Sequence, residues 1–264
     1  MTIETSAPLP LSVSIISFNE EENIARTLEA IKPLAAQIVI VDSHSKDKTV
    51  EIAKSYGAEV YDEDWKGHID QKNSALEKCT QPWILALDCD EVVTPELAAE
   101  IRKAVESGDA AGYELDRQTV YLGKKMEHMW QPDWKLRLIR KDASPKWGGY
   151  NPHDALRIVG KTKKLAGKLE HYSYKDMNDH WQRTLSYAKT VAESYDKAGK
   201  KFRWYKLILS PIAGTFRNYI LKGGFLDGSH GFFAAMSKFV YTYWKYMFLW
   251  EIQKNRKDRD RADG

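Results

Sequence analysis

Between Ser12 and Leu87, short β-branched runs alternate with helical segments at close spacing, and this rhythm restricts the fold more than any other feature. Ser12 to Ser17 (SVSIIS) reads as a buried strand. Asn19 follows with Glu20, Glu21 and Glu22, then Ile24, Leu28 and Ile31 at helical spacing, so Asn19 is the expected cap of a first helix with acids at its positive end. Gln37 to Val41 (QIVIV) is a second strand ending at Asp42. Ser45 and Asp47 open a second helix that Gly57 closes, and Ala58 to Tyr61 (AEVY) is a third strand. Gln71 to Lys78 is helical in pattern, and Trp83 to Leu87 (WILAL) is a strand running straight into Asp88. A β-α-β-α-β-α-β order predicts a parallel sheet with right-handed crossovers. Ligands then bind outside the carboxyl ends of the strands, where Asp42 and Asp88-Cys89-Asp90 should meet in one crevice.

The rhythm changes after Gly108. Gly112 to Tyr121 and Leu136 to Arg140 read as strands, Trp147-Gly148-Gly149-Tyr150 as a turn or loop, and everything from Asp176 onward as helix, broken near Pro211 and at Gly223-Gly224. The charged tail Lys254 to Asp263 is expected to fray. With 43% hydrophobic and 29% charged residues, the 264-residue chain can build a large core, and a net charge of +3 is too small to favour nucleic acid as the main partner. Two cysteines, Cys79 and Cys89, suit a reducing compartment, although one bond between them stays open at this stage. Met1 to Leu11 contains Glu4 and lacks a basic stretch followed by an apolar one, so no secretion signal is expected. No apolar run reaches the length of about 18 residues that a membrane span needs.

Two carboxylates one residue apart at the end of a buried strand need a compensating positive charge. A divalent cation carrying a diphosphate supplies one, and oxygen ligands suit Mg²⁺ or Mn²⁺. The plain structural alternative is a solvated acidic turn, or Asp90 and Glu91 opening the helix around Pro95. The first strand is followed by Ser17-Phe18-Asn19-Glu20 and not by a Gly-x-Gly-x-x-Gly turn, which argues against a dinucleotide dehydrogenase.

Four segments in order, SIISFNEEENI, QIVIVDSHSKDKTVEIAKSYGAEV, QKNSAL and WILALDCDE, resemble the nucleotide-binding half of family 2 glycosyltransferases. The later segments KLRLIRK, NPHDAL and KLEHYSY resemble the lipopolysaccharide inner-core β-glucosyltransferases within that family, over roughly Leu11 to Tyr195. The resemblance implies an α/β fold of the GT-A type, a Rossmann-like and mostly parallel sheet flanked by helices, with a helical C-terminal extension. The expected divisions are a nucleotide-sugar-binding half over 11–106, an acceptor and catalytic half over 107–175, and an aromatic-rich helical region over 176–264.

The resemblance also assigns roles. Ser17, Asn19 and Glu20 border the nucleotide, Asp42 accepts from the uracil imide, and Lys72 or Asn73 approaches the base and ribose. Asp88 contacts the ribose or a metal-bound water, Asp90 ligates the metal, and His171 completes the metal or diphosphate site. Asp154 is the expected catalytic base, although relatives commonly carry Glu there, and Asp133 is its competitor unless it merely caps a turn beside Pro132. Arg137 and Arg140 alternate outward from their strand, to grip a donor or acceptor oxygen or simply to be solvated. The implied activity is a metal-dependent inverting hexosyltransferase that uses UDP-glucose and a glycolipid acceptor such as lipopolysaccharide core. The alternatives are a polyprenyl phosphate, capsule or protein acceptor, or a nucleotide-sugar-binding protein without turnover.

Phe232, Met236, Phe239, Val240, Tyr243, Met247 and Trp250 form an apolar stripe at helical spacing, with Lys238 and Lys245 on another face. Such a helix suits the cytoplasmic face of an inner membrane, with lysines at the headgroups, or else packs on the sheet or on a second subunit as a homodimer.

Overall fold

The computed structural model describes residues 7–150 and 153–262. Met1 to Ser6, Asn151, Pro152, Asp263 and Gly264 lie outside the described residues, and with them part of the expected N-terminal stretch, of the NPHDAL segment and of the charged tail. The described residues fall into two compact units, one within Met1–Thr119 and Pro132–Tyr172, the other within Val120–Gln131 and Ser173–Gly264.

In the first unit, β1 (Leu9–Ser17), β2 (Ala35–Asp42), β3 (Glu59–Asp62) and β4 (Trp83–Ala86) pair in parallel in the order β3-β2-β1-β4. Helices α1 (Ile24–Ile31), α2 (Thr49–Ser55) and α3 (His68–Glu77) connect them, as the alternation requires. β5 (Glu91–Val93) and α4 (Pro95–Ser107) follow, and then β6 (Gly112–Tyr121). Among the described residues the sheet continues past β4 through β8 (Trp134–Arg140), β6, β11 (Thr162–Tyr174) and β5, with antiparallel pairing of β4 with β8, β8 with β6, and β11 with β5. The short β7 (Lys124–Lys125) pairs with the end of β6, and β9 (Lys146–Tyr150) pairs with β10 (His153–Arg157) in a separate two-stranded ladder.

Strand alternation sorts the core onto two faces. Leu11, Val13 and Ile15 of β1 and Leu85 of β4 join Ile24, Leu28 and Ile31 of α1 and Leu97 and Ile101 of α4 in one cluster. Val39, Ile84 and Ala86 meet Leu76, Trp147 and Leu156 in another. α4 is well bounded: Thr94 Oγ1 accepts from Leu97 N–H at 3.3 Å, Pro95 takes the first turn, and Gly108 closes the helix in the left-handed region at φ 58°.

The second unit contains α5 (Met177–Lys197), α6 (Trp204–Phe216), a π-helical turn Arg217–Leu221, a 3₁₀ turn Gly224–Asp227 and α7 (Gly228–Ala262). The buried Asp227 accepts backbone N–H groups from Glu127, His128 and Met129 at 3.0, 3.1 and 2.7 Å. Those three bonds explain why residues 120–131 belong with helices almost a hundred positions away.

Local expectations fail in four places. Asn19 caps no helix, because α1 begins at Ile24, and Asn19 instead holds φ 54° with its Oδ1 accepting from Lys46 N–H at 2.8 Å. Trp147 to Tyr150 is strand β9 and not a turn, since β10 supplies its hydrogen-bond partners. Pro211 does not break α6, which runs through it with Pro211 buried; the chain turns at Ala198 to Arg203 and at Gly223, whose φ is 72°. Packing against α7 overrides the lost hydrogen bond. The charged tail continues α7 as far as Ala262. Cys79 and Cys89, whose pairing the sequence left open, are both buried free thiols.

Candidate active site

The carboxyl ends of β1, β2 and β4 converge as the sheet topology demands. Asp42, at the end of β2, is buried and accepts Ser17 Oγ at 2.6 Å, Ser45 Oγ at 2.6 Å and Ser45 N–H at 2.8 Å. Three bonds occupy three of the roughly four lone-pair positions of a carboxylate, so one acceptor position remains for a ligand N–H. The loop after β1 is stitched to the loop after β2: Asn19 N–H donates to Ser45 Oγ at 2.8 Å, Glu20 N–H to Thr49 Oγ1 at 2.7 Å, and Glu21 N–H to Asp47 Oδ2 at 3.1 Å. This stitching requires the positive φ of Asn19, which asparagine tolerates better than most residues. Ser17, Asn19, Glu20 and Asp42 are thereby brought together.

Beside them runs a chain of alternating charges. Asp154 Oδ2 lies 3.0 Å from Lys72 Nζ, which is also 3.0 Å from Asp88 Oδ1. Asp88 Oδ2 lies 2.8 Å from a guanidinium nitrogen of Arg137, and that nitrogen is 2.6 Å from Glu91 Oε1. Arg117 continues the chain, 3.3 Å from Glu91 and 2.7 Å from Asp133 Oδ2, and Lys135 ends it 2.9 Å from Asp133 Oδ1. Burial would push the Asp88 carboxyl upward, but Lys72 and Arg137 outweigh it and hold the group far below the usual carboxylate range. Burial likewise opposes the charges of Lys72, Arg137 and Arg117, and their carboxylate partners keep all three protonated.

Arg137, expected either to grip an oxygen or to be solvated, is 4% exposed and bound to Asp88 and Glu91, whereas Arg140 on the same strand is half-buried and paired with Asp142. Positions 137 and 140 are three apart, so the two-residue alternation of a strand sets their side chains on opposite faces. Trp147 underlies the two cations, with Lys72 Nζ 4.4 Å and the Arg137 guanidinium carbon 5.6 Å from its ring centroid. Asn73 holds it there: Asn73 Oδ1 accepts Trp147 N–H at 2.8 Å and Asn73 Nδ2 donates to Trp147 O at 3.1 Å. The first task of Asn73 is therefore to tie α3 to β9.

Asp90 and His171 form a further pair, with His171 Nε2 3.3 Å from Asp90 Oδ2. The sheet brings them together, because His171 lies opposite Glu91 in the β11–β5 ladder and Tyr172 N–H donates to Asp90 O at 2.9 Å. Between the two acids, Cys89 is buried with Sγ 3.2 Å from Ile16 O, and burial pushes its thiol well above the ordinary range, so it acts as an inert spacer.

Asp133 is gripped by Arg117 and Lys135. Burial raises its carboxyl, but the two cations more than offset this and leave it below the usual range. That is an unfavourable setting for a proton acceptor. Asp154 sits on β10 with Lys72 as its ion-pair partner, next to Asp88. Glu91, Arg117 and Trp147 were not singled out by sequence reasoning. Only the acid next to Asp90 hinted at Glu91, whose side chain is fully buried.

A family model described as glycosyl transferase family 2 matches residues 12–161, more than half of the chain. The chain belongs to that family. This family 2 glycosyltransferase is 30% identical over 247 residues to the lipopolysaccharide core biosynthesis glycosyltransferase LpsC of Rhizobium meliloti (strain 1021), which covers 89% of this chain and 90% of the relative. It is 28% identical over 256 residues to an uncharacterized glycosyltransferase of Rickettsia typhi, covering 92% of this chain and 87% of that one. Among solved structures, the mannosyltransferase PcManGT from Pyrobaculum calidifontis, in complex with GDP-Man and Mn²⁺, shares the fold at a TM-score of 0.54 and 12% identity, covering 95% of this chain and 90% of that one. The expected GT-A architecture with a helical C-terminal region is thus the one observed.

Proposed function

We propose that this family 2 glycosyltransferase moves a hexose, with glucose from UDP-glucose as the first candidate, onto a hydroxyl of a glycolipid acceptor such as lipopolysaccharide core, with inversion at the anomeric carbon. The observation that carries this reading is the Lys72 ammonium held between Asp88 and Asp154, which puts a base candidate beside the donor-side acids. Asp42 reads the base N–H through its remaining acceptor position, and Ser17, Asn19 and Glu20 line the same edge. Asp88, kept ionised by Lys72 and Arg137, accepts from the ribose hydroxyls. Asp154 removes the proton from the acceptor hydroxyl as that oxygen attacks the face of the sugar opposite the leaving diphosphate, and Lys72 keeps its carboxylate aimed. The transition state has oxocarbenium character, and no covalent sugar–enzyme bond is required.

The donor set fits a divalent cation with substrate as co-ligand. Asp90 and His171 offer one carboxylate and one imidazole, and no group of three or more His, Cys, Asp or Glu side chains suited to a metal occurs among the described residues. Mg²⁺ is commonly held by one or two carboxylates plus substrate phosphates and waters, and Mn²⁺ accepts the same oxygens together with imidazole. When bound, the metal would neutralise charge on the departing diphosphate. The test is a donor screen that follows UDP release with Mn²⁺ or Mg²⁺, with and without EDTA, on native and delipidated glycolipid fractions. Release that needs both a UDP-hexose and the native glycolipid supports the reading. UDP-sugar binding without turnover on any acceptor would overturn it.

A further inference from the structure

The helical unit carries an amphipathic segment turned inside out. Along α6 and the π-turn that follows it, Tyr205, Ile208, Leu209, Ile212, Phe216 and Ile220 recur at spacings of three and four, and all are between 44% and 59% exposed. Leu207 and Tyr219 are half-buried, and the other buried or half-buried positions are mostly smaller or more polar, among them Ser210, Pro211, Gly214, Thr215 and Asn218. A helix of a globular domain normally buries its apolar stripe. Here the stripe faces outward, and a contiguous exposed apolar surface of this kind marks an interaction site.

The charge pattern of the same segment selects the partner. From Lys197 to Leu226 there is no Asp or Glu, while Lys197, Lys200, Lys201, Arg203, Lys206, Arg217 and Lys222 are all cationic. The lysines expected at headgroups from the sequence, Lys238 and Lys245, are not available for that role. Lys245 is packed over Tyr195, Tyr241 and Tyr246 at 5.0, 5.8 and 4.8 Å, and burial draws its ammonium down to about 8. The basic residues next to the outward stripe are those of α6 and its flanks. We propose that the exposed face of α6 and the π-turn docks in the plane of an anionic lipid surface, with the aliphatic and aromatic side chains at the acyl boundary and the flanking lysines and arginines at the headgroups. Insertion across the bilayer does not compete, since no described helix is long and apolar enough to span. A second copy of this chain is disfavoured, because a two-fold interface would set one acid-free basic segment against itself.

This inference does not depend on the donor or acceptor, and its test is physical. The full-length protein should float with vesicles of phosphatidylglycerol and phosphatidylcholine, much less with phosphatidylcholine alone, and less again in 0.5 M salt, a concentration of about this order screening surface charge within a few ångströms. The triple variant I208S/L209S/I212S should lose at least about tenfold in partitioning. K201Q/K206Q/K222Q should lose on the order of a hundredfold on the anionic vesicles alone. A cooperative thermal melt near that of the native protein shows that each variant is folded. Failure of the native protein to float with anionic vesicles at low salt, or flotation of both folded variants like the native protein, overturns the proposal. So does a lipid-free dimer that I208S/L209S/I212S converts to monomer, which would assign the face to a second copy.

Discussion

Asp154 and Lys72 are joined at 3.0 Å, and the same ammonium reaches Asp88 at the same distance, so one cation ties the expected base to the acids at the end of β4. β10 brings Asp154 to this point and α3 brings Lys72, two elements separated by more than seventy positions in sequence. The link also separates the two base candidates, because Asp133 is tied to Arg117 and Lys135 at the other end of the charge chain.

Asp154→Asn should therefore lower kcat by about 10²–10⁴-fold with donor binding retained. Asp133→Asn should leave kcat within a few-fold. Steady-state UDP release with the true acceptor, alongside donor titration by calorimetry, measures both, and a larger kcat loss for Asp133→Asn would reverse the assignment.

Removing Arg137 strands a buried charge. Arg137→Leu leaves Glu91, fully buried, with the longer contact to Arg117 as its charged partner beside the Asp88 N–H, and should cost about 3 kcal/mol of folding stability. The double variant Glu91→Leu/Arg137→Leu removes the unpaired acid along with its partner and should recover most of that loss. Urea denaturation of the two singles and the double gives the coupling energy directly. A loss in the double variant equal to the sum of the two single losses would show that the pair contributes no coupling.

His180 predicts an acid-sensitive helical unit. It is buried, its Nδ1 lies 2.7 Å from Tyr121 Oη, and burial draws its imidazole down from 6.5 to about 4. Between those values the unfolded chain holds a proton that the folded chain excludes. Stability is therefore complete above pH 6.5 and falls as pH drops toward 4, by up to about 3 kcal/mol. Thermal melts of His180→Gln between pH 7 and pH 5 should show a shallower loss than the native protein.

Metal dependence should map to Asp90 and His171. EDTA should abolish turnover and Mn²⁺ or Mg²⁺ restore it, while Asp90→Asn and His171→Ala should each raise the metal concentration needed for half-maximal rate by about tenfold or more. Unchanged metal response in both variants would remove the pair from the metal site.

Much of the parallel half was legible in the sequence, because each of its elements is stated by local periodicity, and the rule that ligands bind at strand carboxyl ends carries Asp42, Asp88 and Asp90 to one edge. The antiparallel half was less legible. Trp147 to Tyr150 looked like a turn because two glycines punctuate it, and only the β10 ladder makes it a strand that places Trp147 under Lys72 and Arg137. Arg137 stayed open between an oxygen-gripping and a solvated role, because alternation along β8 says nothing of its buried partner Glu91.

By itself the sequence determined the order of elements, the family and the acids at the strand ends, since these depend on short-range pattern and on residue type. Tertiary structure decided which cation meets which carboxylate, that Asn73 serves Trp147, that Asp227 gathers residues 120–131 into the helical unit, and that α6 turns its apolar stripe outward. Those outcomes depend on contacts between residues tens of positions apart, where burial sets the strength of each pairing and no local periodicity records it.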